Sequence, residues 1–479
     1  MHAVWHRTTS ISISAVQRTA NREERHANRV MPPYNGVRRA TNTVAQTACE
    51  LIKIIRPMQK LMNQSDALQR TDGPAHKGDQ TASQALSGDK DSGCRRMLDA
   101  IRDLAPAVLT RAAEIEAERR MPSDLIEKLR LIGVFRMFAP RSRGGLELDL
   151  PSGMEVISTL ARLDGSVGWT AMIGSASAII SPRLPRQTYD LMYQDKSDVI
   201  IAAVSAPGGT AERVPGGWRV SGRWPFASSC HNAEWMMGLC VMLEGGKPLF
   251  GPAGDAGPPL VRCVALPASA WQIEDTWHTS GLRGTGSHHI ALQNVVAPEA
   301  NFFDFPAGAS CEPGPLYQAW RHLQSLLVGA VCVGIAEGAL WDVAELIHTG
   351  RQQLRAPVPM RDSEMVQGEL GRIEADVRAA RAAMQVQADS HWRHALADTL
   401  NGEALYSQGI QTGSWIATTC SRAAHACFNL AGGAALYESS PLQRRLRDLQ
   451  AAAQHAMVQQ RHYAEAGRLL LERAVRTPR

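Results

Sequence analysis

What this 479-residue chain has little of narrows its chemistry before any motif is read. Aromatic side chains make up only 5%, yet the 11 tryptophans outnumber 8 phenylalanines and 7 tyrosines, which suits tight helix packing or a flat ligand. The 9 cysteines include no C-x-x-C pair, so neither a zinc ribbon nor a disulfide framework is indicated. Scattered thiols in odd number point to a reducing compartment, and a cytoplasmic protein is expected. A P-loop, a His-Glu-x-x-His helix and a G-x-S-x-G elbow are all missing, which disfavours nucleotide hydrolysis, zinc proteolysis and α/β-hydrolase chemistry. The longest apolar run, Leu326 to Trp341, carries Glu337 and reads as too short and too mixed to span a bilayer, so no membrane partner is expected. Net charge is +5, but residues 1–92 hold 13 basic and 8 acidic side chains, so the remainder is balanced and offers nucleic acid no electrostatic footprint.

The hydrophobic pattern changes period along the chain. Residues 1–92 show no sustained period and read as a basic, disordered extension, although the first sixty mimic a transit peptide. Order is expected from about Cys94. Residues 93–198 carry apolar positions at three- and four-residue spacing, with a loop at Gly144-Gly145 and a break at Asp164-Gly165. Residues 199–305 hold short alternating runs separated by Gly and Pro, as in an antiparallel sheet. Residues 306–479 return to helical spacing in four long segments, 316–349, 362–397, 403–430 and 441–475, the pattern of a four-helix bundle. The expected class is α+β, with an N-terminal α-helical domain, a central antiparallel β domain and a C-terminal four-helix bundle.

Individual motifs are ambiguous. RWPFASSCHNAEW (223–235) sets Ser228, Cys230 and His231 close together, but on a strand Ser228 and Cys230 share a face that His231 avoids. His288-His289 fails as a metal pair for the same reason, and no metal site is expected. GLRGTGS (281–287) has its glycines in the wrong order for a dinucleotide fingerprint and reads as a β-turn.

Six stretches taken in order resemble the acyl-CoA dehydrogenase superfamily: SRGGLELDL (142–150), LARLDGSVGW (160–169), VSAPGG (204–209), GWRVSGRWPFASS (217–229), LRGTGSHHIALQNVVAPEAN (282–301) and AGGAALYESSPLQRRLRD (431–448). The resemblance spans about residues 94–479. It implies a flavin enclosed by the three domains, usually in a homotetramer. Ser228 falls where the family sets a hydroxyl beside the flavin N5, Phe226 where an aromatic ring shields the flavin, and Ser205 where a hydroxyl meets the pyrimidine edge. A hydroxyl suits N5 because it can both donate and accept. Arg351 stands where the family contacts the FAD diphosphate from a neighbouring subunit, and Gly432 and Gly433 where it approaches the adenosine half.

Departures from the family pattern bear on the reaction. The position of the common dehydrogenase base is Ser439, with Glu438 one residue out of frame, and Ser cannot take a proton from carbon. RDLQAAAQH (447–455) resembles the last helix of the oxygenase components of two-component flavin monooxygenases, which receive reduced FMN or FAD from a separate flavin reductase, add O₂ at the flavin C4a and oxygenate a small aromatic or heteroatom substrate. That resemblance implies a catalytic His455, whose reference value near 6.5 suits taking a phenol proton. A second pocket histidine of those enzymes is replaced at Ser177. Trp169, Ser177 and Ser439 are the candidate substrate contacts. The alternative is an acyl-CoA dehydrogenase-like FAD enzyme acting on acyl thioesters. A scaffold of the same fold is disfavoured, because it has no need of the flavin-strand hydroxyls.

Overall fold

The computed structural model describes residues 80–251, 254, 257–305, 308–400 and 402–476. Six helices come first: α1 Gln80–Thr110, α2 Ala112–Glu118, α3 Ser123–Ile132, α4 Leu150–Leu163, α5 Gly165–Ile180 and α6 Arg186–Met192. Eight strands follow: β1 Ile201–Val214, β2 Gly217–Ala227, β3 Trp235–Glu244, β4 Lys247–Pro248, β5 Val261–Pro267, β6 Gln272–Glu274, β7 His288–Ala297 and β8 Phe302–Asp304. The chain closes with α7 Pro315–Gln318, α8 Trp320–His348, α9 Glu364–Leu396, α10 Glu403–Ala431, α11 Pro441–Ala452 and α12 His462–Arg476. This is the helix–sheet–helix order that the periodicity indicates. Helix α1 starts at Gln80, ahead of the onset expected near Cys94; the rest of the expected extension, residues 1–79, lies outside the described residues.

Local chemistry sets the helix ends. Asp149 caps α4 by accepting the Ser152 N–H at 2.8 Å, and Asp164 caps α5 by accepting the N–H groups of Ser166 and Val167. Two aspartates thus satisfy donors that a helix start otherwise leaves unpaired. Asp164 also ends α4, which makes the expected break at Asp164-Gly165 a single-residue hinge.

The strands form one sheet in the order β6-β7-β2-β1-β3-β5-β8, with β4 beside β3. An antiparallel sheet was the expectation; the observed sheet is mixed, because β1 and β3 run parallel. The reason is topological. The chain turns back along β2, then passes to the far side of β1, so β3 must run in the same direction as β1. Alternation of apolar residues carries no information on strand direction, and this pairing could not be read from it.

Trp224 organises the sheet interior. Its indole is fully buried and donates through Nε1 to the Leu239 carbonyl at 2.7 Å. A Cβ on Gly208, Gly209, Gly222 or Gly238 would lie 2.3–2.8 Å from indole atoms. The Gly208-Gly209 pair is therefore a packing device, clearing space for one large ring.

In the C-terminal region α8 is the core helix, packed on α4, α10 and α11. The expectation of a run too short to cross a membrane needs correcting. The full helix has 29 residues and is long and apolar enough by composition, but 78% of its most apolar window is buried within the protein. The expected helix 441–475 is also interrupted: α11 stops at Ala452, a 3₁₀ turn spans Ala456–Val458, and α12 starts at His462. No Gly or Pro lies in this break. Tertiary contacts hold it instead, since Val458 is buried and the Ser414 hydroxyl donates to the Gln459 carbonyl.

Substituting Gly238→Ala forces a methyl into the Trp224 ring. Urea unfolding is expected to show a loss of about 1–3 kcal/mol, the usual cost of overpacking; an unchanged midpoint would contradict the packing role.

Candidate active site

Strand β2 ends in a bulge. Between Trp224 and Ala227 it uses one residue more than β7. Phe226 absorbs the excess at φ +68°, in a region that bulky L-residues avoid. Its ring is 66% exposed and meets Trp277 edge-on at 6.2 Å. The Ser228 N–H returns to the Phe226 carbonyl, Ser229 is left-handed, and the chain enters a 3₁₀ turn at Cys230–Asn232. The strand has ended before Ser228, so alternation does not govern Ser228, Cys230 and His231. They form no triad. Burial pushes the Cys230 thiol up to about 11, and its sulfur donates to the Gly286 carbonyl. His231 packs edge-on against His288.

The segment GLRGTGS is not the simple β-turn expected. It is a strained loop, left-handed at Leu282 and Gly286, with a 3₁₀ turn at Arg283–Thr285 between them. All three parts of the fold bond to it. The sheet side contributes the Ser229 N–H, which donates to the Thr285 carbonyl at 2.8 Å. From α5, the Ser166 hydroxyl accepts the Gly284 N–H at 3.1 Å. From α11, Asp448 accepts the Leu282 N–H at 2.7 Å. The glycines are required by contact, since a Cβ at Gly281 would lie 2.0 Å from the Arg447 carbonyl oxygen and one at Gly284 2.2 Å from Ile115.

Ser228 is 7% exposed and lies beside this loop. Its hydroxyl accepts the Trp169 indole N–H at 3.1 Å and lies 2.7 Å from the Ser287 hydroxyl, which is 2.7 Å from that of Thr285. The Trp169 ring in turn meets the His455 ring at 5.6 Å, inclined at 68°. Trp169 therefore joins Ser228 on the β domain to His455 beyond α11.

His455 differs from the sequence expectation in two ways. It does not lie on the last helix but caps the following 3₁₀ turn, where its Nδ1 accepts the Met457 N–H at 3.4 Å. Burial also pushes its imidazole down to about 4. The neutral ring with Nδ1 as acceptor carries its proton on Nε2, so at neutral pH it is a hydrogen-bond donor rather than a ready base.

The other candidate residues fall elsewhere. Ser177 is buried, and its hydroxyl donates to the carbonyls of Ile173 and Ile201, each at 2.8 Å, tying α5 to β1. That hydrogen is committed to the backbone. Ser439 is exposed in the turn before α11, as is Glu438. Ser205 is exposed where β1 slips register against β3 between Val204 and Pro207. Arg351 is exposed on the loop after α8, and Gly432 and Gly433 follow α10. These two segments meet where the Gln353 amide donates to the Leu430 carbonyl. A groove of about 550 Å³ runs between α10 and residues 450–460, and none of Ser228, Trp169 and His455 lines it. Among the described residues no group of three or more His, Cys, Asp or Glu side chains is placed to hold a metal ion.

Four residues of the cluster were not singled out from the sequence: Thr285, Ser287, Asp164 and Asp448. Asp448 is 3% and Asp164 2% exposed. Burial, with the Asp164 charge adding to it, pushes the Asp448 carboxyl well above the ordinary carboxylate range. A carboxyl with a raised value in the folded protein stabilises it in the protonated form, and that contribution is lost as pH rises from about 4 towards about 7. Asp448→Asn keeps an acceptor for the Leu282 N–H and removes the titration. Melting temperature measured across this range should fall with pH in the natural protein and be flatter in the variant; equal slopes would contradict the buried carboxyl.

Known proteins share this fold. Residues 93–184 match the acyl-CoA dehydrogenase N-terminal domain and residues 326–460 match the acyl-CoA dehydrogenase C-terminal domain. The chain is 31% identical over 382 residues to the FADH(2)-dependent resorcinol hydroxylase, oxygenase component, of Rhizobium sp. (strain MTP-10005), covering 75% of this chain and 90% of that protein. It is 29% identical over 374 residues to indole-3-acetate monooxygenase of Pseudomonas putida, covering 78% of this chain and 91% of that protein. Among solved structures, XiaF from Streptomyces sp., in complex with FADH2 and glycerol, superposes with a TM-score of 0.72 at 25% identity, over 78% of this chain and 94% of that one. With this fold and this extent of identity, the chain belongs to the acyl-CoA dehydrogenase superfamily, among the oxygenase components of flavin-dependent monooxygenases.

Proposed function

We propose that this chain is the oxygenase half of a two-component system, taking reduced FMN or FAD from a separate flavin reductase and using O₂ to oxygenate a small aromatic substrate. The observation that carries this reading is the contact of one tryptophan with both Ser228 and His455. The position of the common dehydrogenase base favours it as well: Ser439 carries no carboxylate and is exposed, as is Glu438.

The residues fit a planar group with polar edges. Exposed Phe226, on a strained backbone, and half-buried Trp277 form an edge-on aromatic pair, which an isoalloxazine ring would cover. Beside it, Ser229 Oγ and Arg283 Nε are buried without a partner. Ser228 would meet N5 and Ser205 the pyrimidine edge. When bound, the reduced flavin supplies the electrons that activate O₂. This chain's residues bind, orient and exclude water. His455 donates from Nε2 to an oxygen of the reacting pair, and Trp169 walls the substrate side. Ser177 and Ser439 are weaker substrate contacts, since one is bonded to backbone and the other is exposed.

Arg351, on the loop after α8, and Gly432 and Gly433, after α10, serve the distal half of a flavin held by a second copy. Leu354, Leu436 and Tyr437, 94%, 73% and 71% exposed, flank them and support a homotetramer. The 8 described cysteines form no disulfide, which supports a cytoplasmic location. Residues 93–198, 199–305 and 306–479 act as the three structural segments.

Protein supplied with reduced FMN or FADH2 by any flavin reductase, under ¹⁸O₂, with a panel of phenols and indoles, is expected to place one ¹⁸O atom in the product. Bleaching of tightly held FAD by an acyl-CoA thioester, with no oxygen incorporation, would contradict the reading. His455→Ala should cut product formation by about 10²-fold or more and divert oxygen to H₂O₂, while the Kd for reduced flavin changes less than about threefold. Loss of flavin binding would contradict the assigned role. The rate in the natural protein should show no inflection near 6.5, because the imidazole stays neutral until pH falls towards about 4; an acid limb centred near 6.5 would overturn the neutral-donor assignment.

A further inference from the structure

The hydroxyls around Ser228 are not free to choose their direction. Thr285 Oγ1 lies 2.8 Å from the Leu282 carbonyl oxygen, which can only accept, so the Thr285 hydrogen points there. The 2.7 Å contact between Thr285 and Ser287 also needs a hydrogen, and only Ser287 can supply it. The 2.7 Å contact between Ser287 and Ser228 then takes the hydrogen of Ser228. The Trp169 indole, a donor only, fills one acceptor site on Ser228 Oγ. Every hydrogen runs one way, from Trp169 through Ser228, Ser287 and Thr285 to the backbone. All three hydroxyl residues are buried, which keeps water from supplying a competing donor or acceptor.

Ser228 is therefore left with a lone pair and no hydrogen to give. This revises the expectation that its hydroxyl both donates and accepts. A flavin N5 bears a hydrogen in the reduced state and a lone pair in the oxidised state. Resting on the flavin reading above, we propose that Thr285 and Ser287 are specificity-determining positioning residues. They fix Ser228 as an acceptor, so that the site takes the reduced flavin and rejects the oxidised one. The oxidised ring would set two lone pairs against each other in a buried place, where an unmade bond is costly. The device suits a protein that receives reduced flavin from elsewhere and must release the oxidised form after turnover.

The test is equilibrium binding of FMN and FAD in both redox states, with the reduced forms measured anaerobically. The comparison uses the natural protein, Thr285→Val and Ser287→Ala. The natural protein should bind reduced flavin at least tenfold more tightly than oxidised. In Thr285→Val the Ser287 hydrogen loses its acceptor and can turn to Ser228, which frees the Ser228 hydrogen. In Ser287→Ala the Ser228 hydrogen is freed directly. Both variants should bind oxidised flavin about three- to tenfold more tightly than the natural protein, with the preference for the reduced form shrinking towards unity. A gain in oxidised affinity is a result that general damage to the loop does not produce. Equal affinity of the natural protein for both states, or parallel loss of both in the two variants, would overturn the inference and leave the flavin reading standing. Binding of neither flavin in either state would overturn both.

Discussion

The loop from Gly281 to Ser287 is the constraint on which the rest of the site depends. It accepts one bond from the sheet side through the Thr285 carbonyl, and gives one to Ser166 of α5 and one to Asp448 of α11. Loops are seldom buried because their backbone groups need partners. This one is buried because three separate elements supply them. Its two left-handed residues and its contact-bound glycines are the cost of that convergence. With the loop in place, Ser287 can meet Ser228, and Trp169 on α5 is brought between the sheet and the segment that carries His455.

The electrostatics of the junction follow from the same burial. Two aspartates approach each other where α5, α11 and the loop meet, and Arg444 Nε stands 3.6 Å from Asp164. Asp448 is spent on a backbone N–H and on packing against Gly165. His455, partly buried beyond α11, is held below the ordinary imidazole range by its burial. Around Ser228 itself the side chains are neutral donors and directed hydroxyls. That suits a site in which a bound cofactor supplies the redox chemistry and the protein controls where hydrogens point.

Much of the fold was legible in the sequence because period reports which face is buried. The helix–sheet–helix order, the hinge at Asp164-Gly165 and the first three bundle helices follow from it. Strand direction does not, and the parallel β1–β3 pair was missed for that reason. The break before α12 was missed because Ala451 to Gln460 contains no helix breaker, and Val458 and Ser414 hold it through tertiary contact. In the site, Ser228, Trp169 and His455 were found through resemblance, and the structure brings them together. Thr285 and Ser287 stood in a quoted motif, but their value lies in two 2.7 Å contacts that no spacing rule reveals. The pull of burial on His455 likewise depends on neighbours distant in sequence.

We propose that reduced flavin lies against Ser228 with His455 on the substrate side. A crystal structure of the protein with reduced FMN or FADH2 diffused in under anaerobic conditions tests it most directly. The account predicts the flavin N5 within hydrogen-bonding distance of Ser228 Oγ, the Phe226–Trp277 pair covered by the ring system, and an open space between the flavin and His455. A flavin bound elsewhere, or one whose N5 faces away from Ser228, would contradict it.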